Sequence, residues 1–192
     1  MIAIRALLVV TAAITIGPAV AQRAVPPAPP FAATGSVQLA FAPWEDAEGM
    51  IVAAIGEARR QILVQAFSFT SRRIAAALIA AKGRGIEVLV TADHEQAAST
   101  EGSRIRELAA AGIPVWLETH YVAAHNKVMV IDAGTYDSAV VTGSFNWTSG
   151  AQRKNAENVL ILRRNRELAQ AYAANWQRHR DGAVRYGAAP KR

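Results

Sequence analysis

Cysteine is absent from all 192 residues. That removes disulfides and thiolate metal sites together and leaves stability to packing. Histidine is scarce: His94, His120, His125 and His179 are all there is, and none stands in a tight ligand spacing such as HExxH. A metal centre would have to be assembled from scattered imidazoles and carboxylates, so no metal or other cofactor is expected. The serine of a G-x-S-x-G elbow is missing as well, which argues against an ordinary serine hydrolase using Ser144 with His125. Long apolar runs are also lacking. The early stretch Ala6 to Ile16 falls well short of the about 20 residues that a membrane-crossing helix needs.

That stretch follows Arg5 and leads through Gly17-Pro18 to Ala19-Val20-Ala21, the small-x-small pattern cut by signal peptidase. Residues 1–21 therefore read as a cleaved export signal, and the mature chain is expected to be periplasmic or secreted without stable membrane insertion. Residues 22–40 begin rich in Pro and Ala and read as a flexible leader. A single folded domain is expected over 41–183, followed by a basic tail over 184–192. About half of the chain is apolar and about a fifth charged, enough for one sizeable core.

Formal net charge is +6, and its distribution matters more than its size. Residues 22–150 carry slightly more acidic than basic side chains, whereas 151–192 hold ten Lys and Arg against Glu157, Glu167 and Asp181. A basic C-terminal surface attracts polyanions such as nucleic acid or anionic lipid.

Periodicity supplies the elements. Helical spacing covers Ala47 to Arg60, Ser71 to Lys82 with Ser71 as N-cap, and Ser99 or Thr100 to Ala111. Strands read over Gln61 to Phe69, Ile86 to Thr91 and Ile113 to Glu118. The alternation predicts an α/β fold: a mixed, largely parallel sheet flanked by helices on both faces. Three more apolar strands follow, His125 to Asp132, Ser138 to Ser144 and Glu157 to Leu162, the first two forming a hairpin. A last helix runs from about Asn165 to Arg180, with Leu168, Ala171, Tyr172 and Trp176 as its apolar stripe.

Polar residues recur at the ends of those strands. HNKVMVID opens with His125 and Lys127, two apart and hence on one face. GSFNWTSG presents Ser144 and Asn146, and the third strand starts at Asn155, Glu157 and Asn158. Together they supply a nucleophile, a fixed positive charge, neutral donors and a carboxylate at a sheet edge, where α/β folds collect ligands.

His125-x-Lys127-(x)4-Asp132, followed by Gly143-Ser144-x-Asn146 and Asn155-x-Glu157-Asn158, resembles the HKD motif of the phospholipase D superfamily, and in particular its small single-motif bacterial endonucleases. The resemblance implies a metal-independent phosphodiesterase. His125 would attack phosphorus to form a phosphohistidine. Lys127, Ser144 and Asn146 would bind the phosphate oxygens, and Glu157 would fix the reactive tautomer of His125. Asp132 belongs to the motif and so to the catalytic set, but five residues from Lys127 it falls on the opposite strand face, which points to a supporting role. The motif occurs once, and the chemistry needs a second histidine as acid for the leaving group; the resemblance implies a homodimer sharing one active site. Nucleic acid, DNA or RNA, is the expected substrate, with phospholipid head groups, or polyanion binding without turnover, as alternatives. Trp147 would either stack on a base or belong to the core.

Overall fold

The computed structural model describes residues 32–187 continuously, with 26, 27, 29 and 30 before them. The export signal expected over 1–21, the start of the leader and residues 188–192 of the tail lie outside the described residues. By its contacts the chain divides into Met1–Pro30 and Phe31–Arg192. The fold described here is that of the second unit.

Its elements follow in the order β1 (Ser36–Ala42), α1 (Ala47–Glu57), β2 (Gln61–Ala66), α2 (Arg72–Gly83), β3 (Glu87–Asp93), α3 (His94–Ser99), α4 (Ile105–Ala110), β4 (Val115–Glu118), β5 (Lys127–Ile131), β6 (Ala139–Gly143), α5 (Ser149–Arg153), β7 (Glu157–Arg163), α6 (Arg166–Gly182) and β8 (Val184–Arg185). Helix starts obey local chemistry. Asp46 accepts from Gly49 N at 2.8 Å to cap α1, and Ser71 accepts from Ile74 N at 3.0 Å to cap α2.

One mixed sheet of eight strands runs β1-β7-β6-β5-β2-β3-β4-β8. Between the strands of the sheet, parallel pairing is confined to β2-β3 and β3-β4, and every other strand pair is antiparallel. The α/β class and the mixed sheet are as expected, while the parallel share is smaller than the alternation suggested. The reason is that β5, β6 and β7 follow one another without long helical crossovers, and β1 adds antiparallel at the edge.

Two apolar layers hold helices to the sheet. On one face Met129, Ile131, Val141, Val159 and Ile161 meet Ile51, Ile55, Ile74 and Leu78 of α1 and α2. On the other, Leu63, Val128, Val130 and Val140 meet Ala169 and Trp176 of α6. The stripe on α6 is rotated from the one expected: Ala169, Tyr172, Ala173 and Trp176 face the sheet, whereas Leu168 and Ala171 line a shallow outer groove.

Three local expectations are corrected. The strand β1 begins at Ser36, inside the stretch read as a leader over 22–40, because Ala40 and Ala42 seal the core while pairing with β7. The first residues of the tail at 184–192 form β8 against β4. The helix expected through 99–111 forms only as α4, Ile105–Ala110, and a separate short helix, α3, precedes it over His94–Ser99. Asp93 caps α3 through Gln96 N at 2.9 Å, Gly102 then takes a positive φ of 76°, and Arg104 N donates to Phe69 O at 2.9 Å, a tertiary bond that breaks the helix.

Candidate active site

Antiparallel pairing places the C-terminal ends of β1, β2 and β6 and the N-terminal ends of β5 and β7 along one edge of the sheet. His125, Lys127, Ser144, Asn146 and Glu157 all lie at that edge. Alternation along five neighbouring strands thus gathers residues spread over more than thirty positions.

Lys127 is buried, and its Nζ lies 2.8 Å from His125 Nδ1 and donates to His125 O at 2.8 Å. The imidazole itself is exposed and packs against Phe67, with ring centroids 4.2 Å apart. The same ring stands 4.7 Å from Lys127 Nζ, so Phe67 supports both groups. Burial pushes the Lys127 ammonium below its ordinary pKa of 10.5, and the nearby Glu157 carboxylate opposes that shift.

Ser144 sits where it does because residue 143 is glycine. Gly143 has φ of 146°, and a Cβ there would stand 2.2 Å from Asn158 O, so only glycine lets β6 approach β7 this closely. Ser144 Oγ donates to Glu157 Oε2 at 2.6 Å and accepts from Asn158 N at 3.1 Å and Asn158 Nδ2 at 3.2 Å. Asn155 Nδ2 holds the other oxygen of Glu157 at 2.9 Å. Glu157 is therefore engaged by Ser144 and Asn155, not by His125 as expected. Asn146 Oδ1 is buried without a hydrogen-bond partner among the described residues, an expense of the kind retained where a ligand or reaction needs the group.

Asp132 does not join this cluster. It ends β5 at the far edge, 3% exposed, where its carboxylate accepts from Arg59 N (2.8 Å), Arg60 N (2.7 Å) and Gln61 N (2.9 Å). The acidic member of the motif ties the α1–β2 turn to β5, and its catalytic assignment is corrected to a structural one. Trp147 is likewise core: it is 1% exposed, with Nε1 donating to Gln65 O at 3.0 Å.

One supporting residue, Asp93, and one exposed neighbour of the site, Trp44, were not read from the sequence. Asp93, buried at the end of β3, accepts from Ala124 N at 2.8 Å and so anchors the backbone next to His125. Trp44, 84% exposed, lies two residues beyond Ala42, the partner of Glu157 in the β1–β7 ladder. The tripeptide AHN gave no hint of the distant carboxylate that holds it, and an exposed Trp has no periodic signal.

Comparison with known proteins identifies the family. Residues 51–180 match the family described as cardiolipin synthase, PLD-like domain. A phospholipase D of Rickettsia prowazekii (strain Madrid E) is 37% identical over 141 residues, covering 73% of this chain and 66% of the rickettsial protein. A mitochondrial cardiolipin hydrolase of Xenopus tropicalis is 33% identical over 63% of this chain and 55% of its own length. Among solved structures, the phospholipase D family member Nuc from Salmonella typhimurium superposes with a TM-score of 0.73 at 31% identity, covering 80% of this chain and 99% of Nuc. NucT from Helicobacter pylori gives 0.70 at 26% identity over 79% of this chain and 99% of NucT. With a family match that spans most of the chain and a fold shared along the whole length of Nuc, the chain belongs to the phospholipase D superfamily of phosphodiesterases.

Proposed function

We propose that the chain is a metal-independent phosphodiesterase that hydrolyses nucleic acid, DNA foremost and RNA by the same chemistry, through a phosphohistidine at a site shared by two copies. The observation that carries this reading is the buried Lys127 ammonium held 2.8 Å from an exposed His125 imidazole, with Ser144 and Asn146 on the neighbouring strand end.

Hydrolysis needs a nucleophile at phosphorus, charge on the non-bridging oxygens and an acid for the leaving alkoxide. A charged Lys127 can only donate, so Nδ1 of His125 accepts and the neutral ring carries its proton on Nε2. That is the form of a general acid. A nucleophile needs the opposite tautomer, with Nε2 free and Nδ1–H donated to a carboxylate. Binding of a phosphate that draws Lys127, Ser144 and Asn146 onto its oxygens frees both Nδ1 and Glu157, and the exposed ring exchanges its Nε2 proton for one at Nδ1 through solvent to make that bond. His125 Nε2 then forms the P–N bond as the P–O bond to the leaving group breaks, and the departing oxygen takes the Nε2 proton of His125 from a second copy. The Nδ1 of that second ring takes a proton from its own Lys127, so that the ring stays neutral, and returns it when Nε2 is reprotonated. Water, deprotonated by that same second imidazole, cleaves the P–N bond and restores the first. Each step needs both histidines, and one chain supplies one.

Apolar side chains left in water at this edge support the pairing of two copies. Val37 (61% exposed), Leu39 (51%) and Phe41 (48%) form one row on β1, and Phe41 pairs with Asn158, whose side chain holds Ser144. Helix α6 covers the central strands and leaves this row open. A second copy seated there would bury it beside the catalytic residues. Export to the periplasm or medium belongs to the same proposal. Among the described residues no helix is long and apolar enough to cross a membrane.

The names of the rickettsial and Xenopus relatives favour a second reading, phospholipid head-group hydrolysis, and one experiment separates the two. Purified protein is given labelled single- and double-stranded DNA, RNA and phospholipid vesicles in excess EDTA, beside His125→Ala. DNA cleavage that survives chelation and drops by about a thousandfold or more in the variant is the expected result. Turnover confined to vesicles would replace the nuclease reading.

A further inference from the structure

Beside the catalytic edge, on the α1 and α2 side of the sheet, lies a cavity of about 580 Å³ lined by Arg72, Arg73, Arg104, Arg153 and Glu48. Its charge is only partly balanced. Arg73 Nη1 reaches Glu48 Oε2 at 3.1 Å and Asp46 Oδ1 at 3.5 Å, and Arg104 Nη1 reaches Glu107 Oε2 at 3.0 Å. Among the described residues Arg72 and Arg153 have no carboxylate partner, and Arg104 Nε is buried with no acceptor. Glu48 is already spent on Ser71 Oγ and Arg73, so it does not neutralise the other three guanidinium groups.

The placement of two of these arginines is unfavourable for the fold. Arg72 and Arg73 open α2, whose first turn contains no acidic residue, and cations at a helix N-terminus oppose its dipole. A fold that tolerates them there, around a cavity and with two charges unpaired, is arranged for an anion. Guanidinium groups favour phosphate, which they bind in a planar fork.

Backbone hydrogen bonds fix the cavity's relation to the reacting centre. Thr70 N and Ser71 N both donate to Trp147 O at 2.9 Å, stitching the cavity wall to the segment that carries Asn146. Asn146 lies only three positions from Ser149, and Phe67, which supports His125, three from Thr70; both Ser149 and Thr70 line the cavity. Three residues span at most about 10 Å. A phosphate in the cavity is therefore within a few nucleotides of one at His125 along the same strand.

We propose that this arginine-lined cavity is a second anion site that holds a neighbouring, non-scissile phosphodiester of a polynucleotide and so favours chains over single diesters. The proposal rests on the nucleic-acid reading above. Four arginines give it several donors but no base edge to read, so it adds affinity without sequence preference.

The test uses the double variant Arg72→Ala/Arg153→Ala. Both side chains are exposed, and removing a cation from the start of α2 does not weaken the helix. Two substrates are compared, a labelled oligonucleotide and bis(p-nitrophenyl) phosphate, which has one diester and nothing to fill the cavity. The oligonucleotide's kcat/KM is expected to fall about tenfold to a hundredfold while the single diester is hydrolysed as before. In a His125→Ala background, oligonucleotide affinity should fall likewise, with its log–log salt dependence shallower by about 1 to 2. Equal losses on both substrates, or no loss on either, would overturn the proposal. Loss of cardiolipin-vesicle turnover with oligonucleotide binding intact would assign the cavity to a lipid phosphate and overturn it too. If the wild-type protein leaves every nucleic acid uncut, the nuclease reading fails by itself. The binding experiment in the His125→Ala background still decides whether the cavity holds a polynucleotide.

Discussion

Lys127, to which the proposal gives the phosphate oxygens, works against the fold. Burial holds its pKa below the ordinary 10.5, so the unfolded chain binds this proton more tightly than the folded one. The charged form therefore costs stability at neutral pH. That cost fades as pH rises through the folded pKa towards the unfolded value. Lys127→Met should accordingly melt no lower than wild type at pH 7, with the difference between the two narrowing towards pH 10, while turnover falls by about a thousandfold or more. Thermal unfolding at the two pH values, run beside the hydrolysis assay, checks both halves; a variant that loses stability equally at both would show that Lys127 contributes packing instead. Asp132 is the converse. Its three backbone bonds would leave three donors unsatisfied in Asp132→Ala, and about 3 kcal/mol of stability should go. In Asp132→Asn, which keeps one acceptor and tolerates the φ of 51°, less should be lost. Urea midpoints report the change. The folded fraction should retain its kcat, since Asp132 lies at the opposite edge from His125.

Among the elements, strand ends carry the proposed chemistry and helices hold the sheet that positions it. Helix α6 closes the second apolar layer through Trp176, which is fully buried and donates from Nε1 to Val64 O at 2.9 Å. Trp176→Ala should cost about 3–5 kcal/mol, read as a lowered denaturation midpoint with an unchanged slope. Most elements were legible locally, because α1 and α2 bury one face at helical spacing and the central strands such as β2 and β5 are short apolar runs buried on both faces and bounded by turns. The failures have identifiable causes. In β1 the pattern is inverted: Val37, Leu39 and Phe41 face water and the alanines face the core, so its apolar residues do not mark the buried side. The turn through Gly102 depends on a bond from Arg104 to Phe69, a contact thirty-five positions away in sequence that no local window contains.

For the whole molecule, the central expectation is that one chain is half of an active site. Leu39→Arg combined with Phe41→Arg puts charge into the exposed row on β1 without touching the core, both side chains being about half exposed. Sedimentation should show a wild-type dimer and a folded monomeric variant that no longer hydrolyses phosphodiesters. A variant that stays dimeric and active would move the contact to another face. Net charge, +6 over the full chain, predicts that turnover of nucleic acid weakens with salt. The arginine-lined cavity is formed from Arg72, Arg73, Arg104 and Arg153, the first three of which come from residues 22–150, whose overall balance is slightly acidic.

Residue types and their spacing carried the α/β class and the polar strand ends, and the resemblance to the HKD motif singled out His125, Lys127, Ser144, Asn146 and Glu157 among them, because alternation in a strand is a local rule and the motif lies within thirty-three positions. Which partner each of those side chains takes is not a local matter. That Glu157 binds Ser144, that Asp132 clasps three amides at the far edge, that Trp147 is core and that arginines from three separate segments face one cavity all depend on strand order and on contacts between residues far apart in sequence. Those contacts form only when the sheet is assembled, since hydrogen bonds and charges act over a few ångströms of space and take no account of distance along the chain.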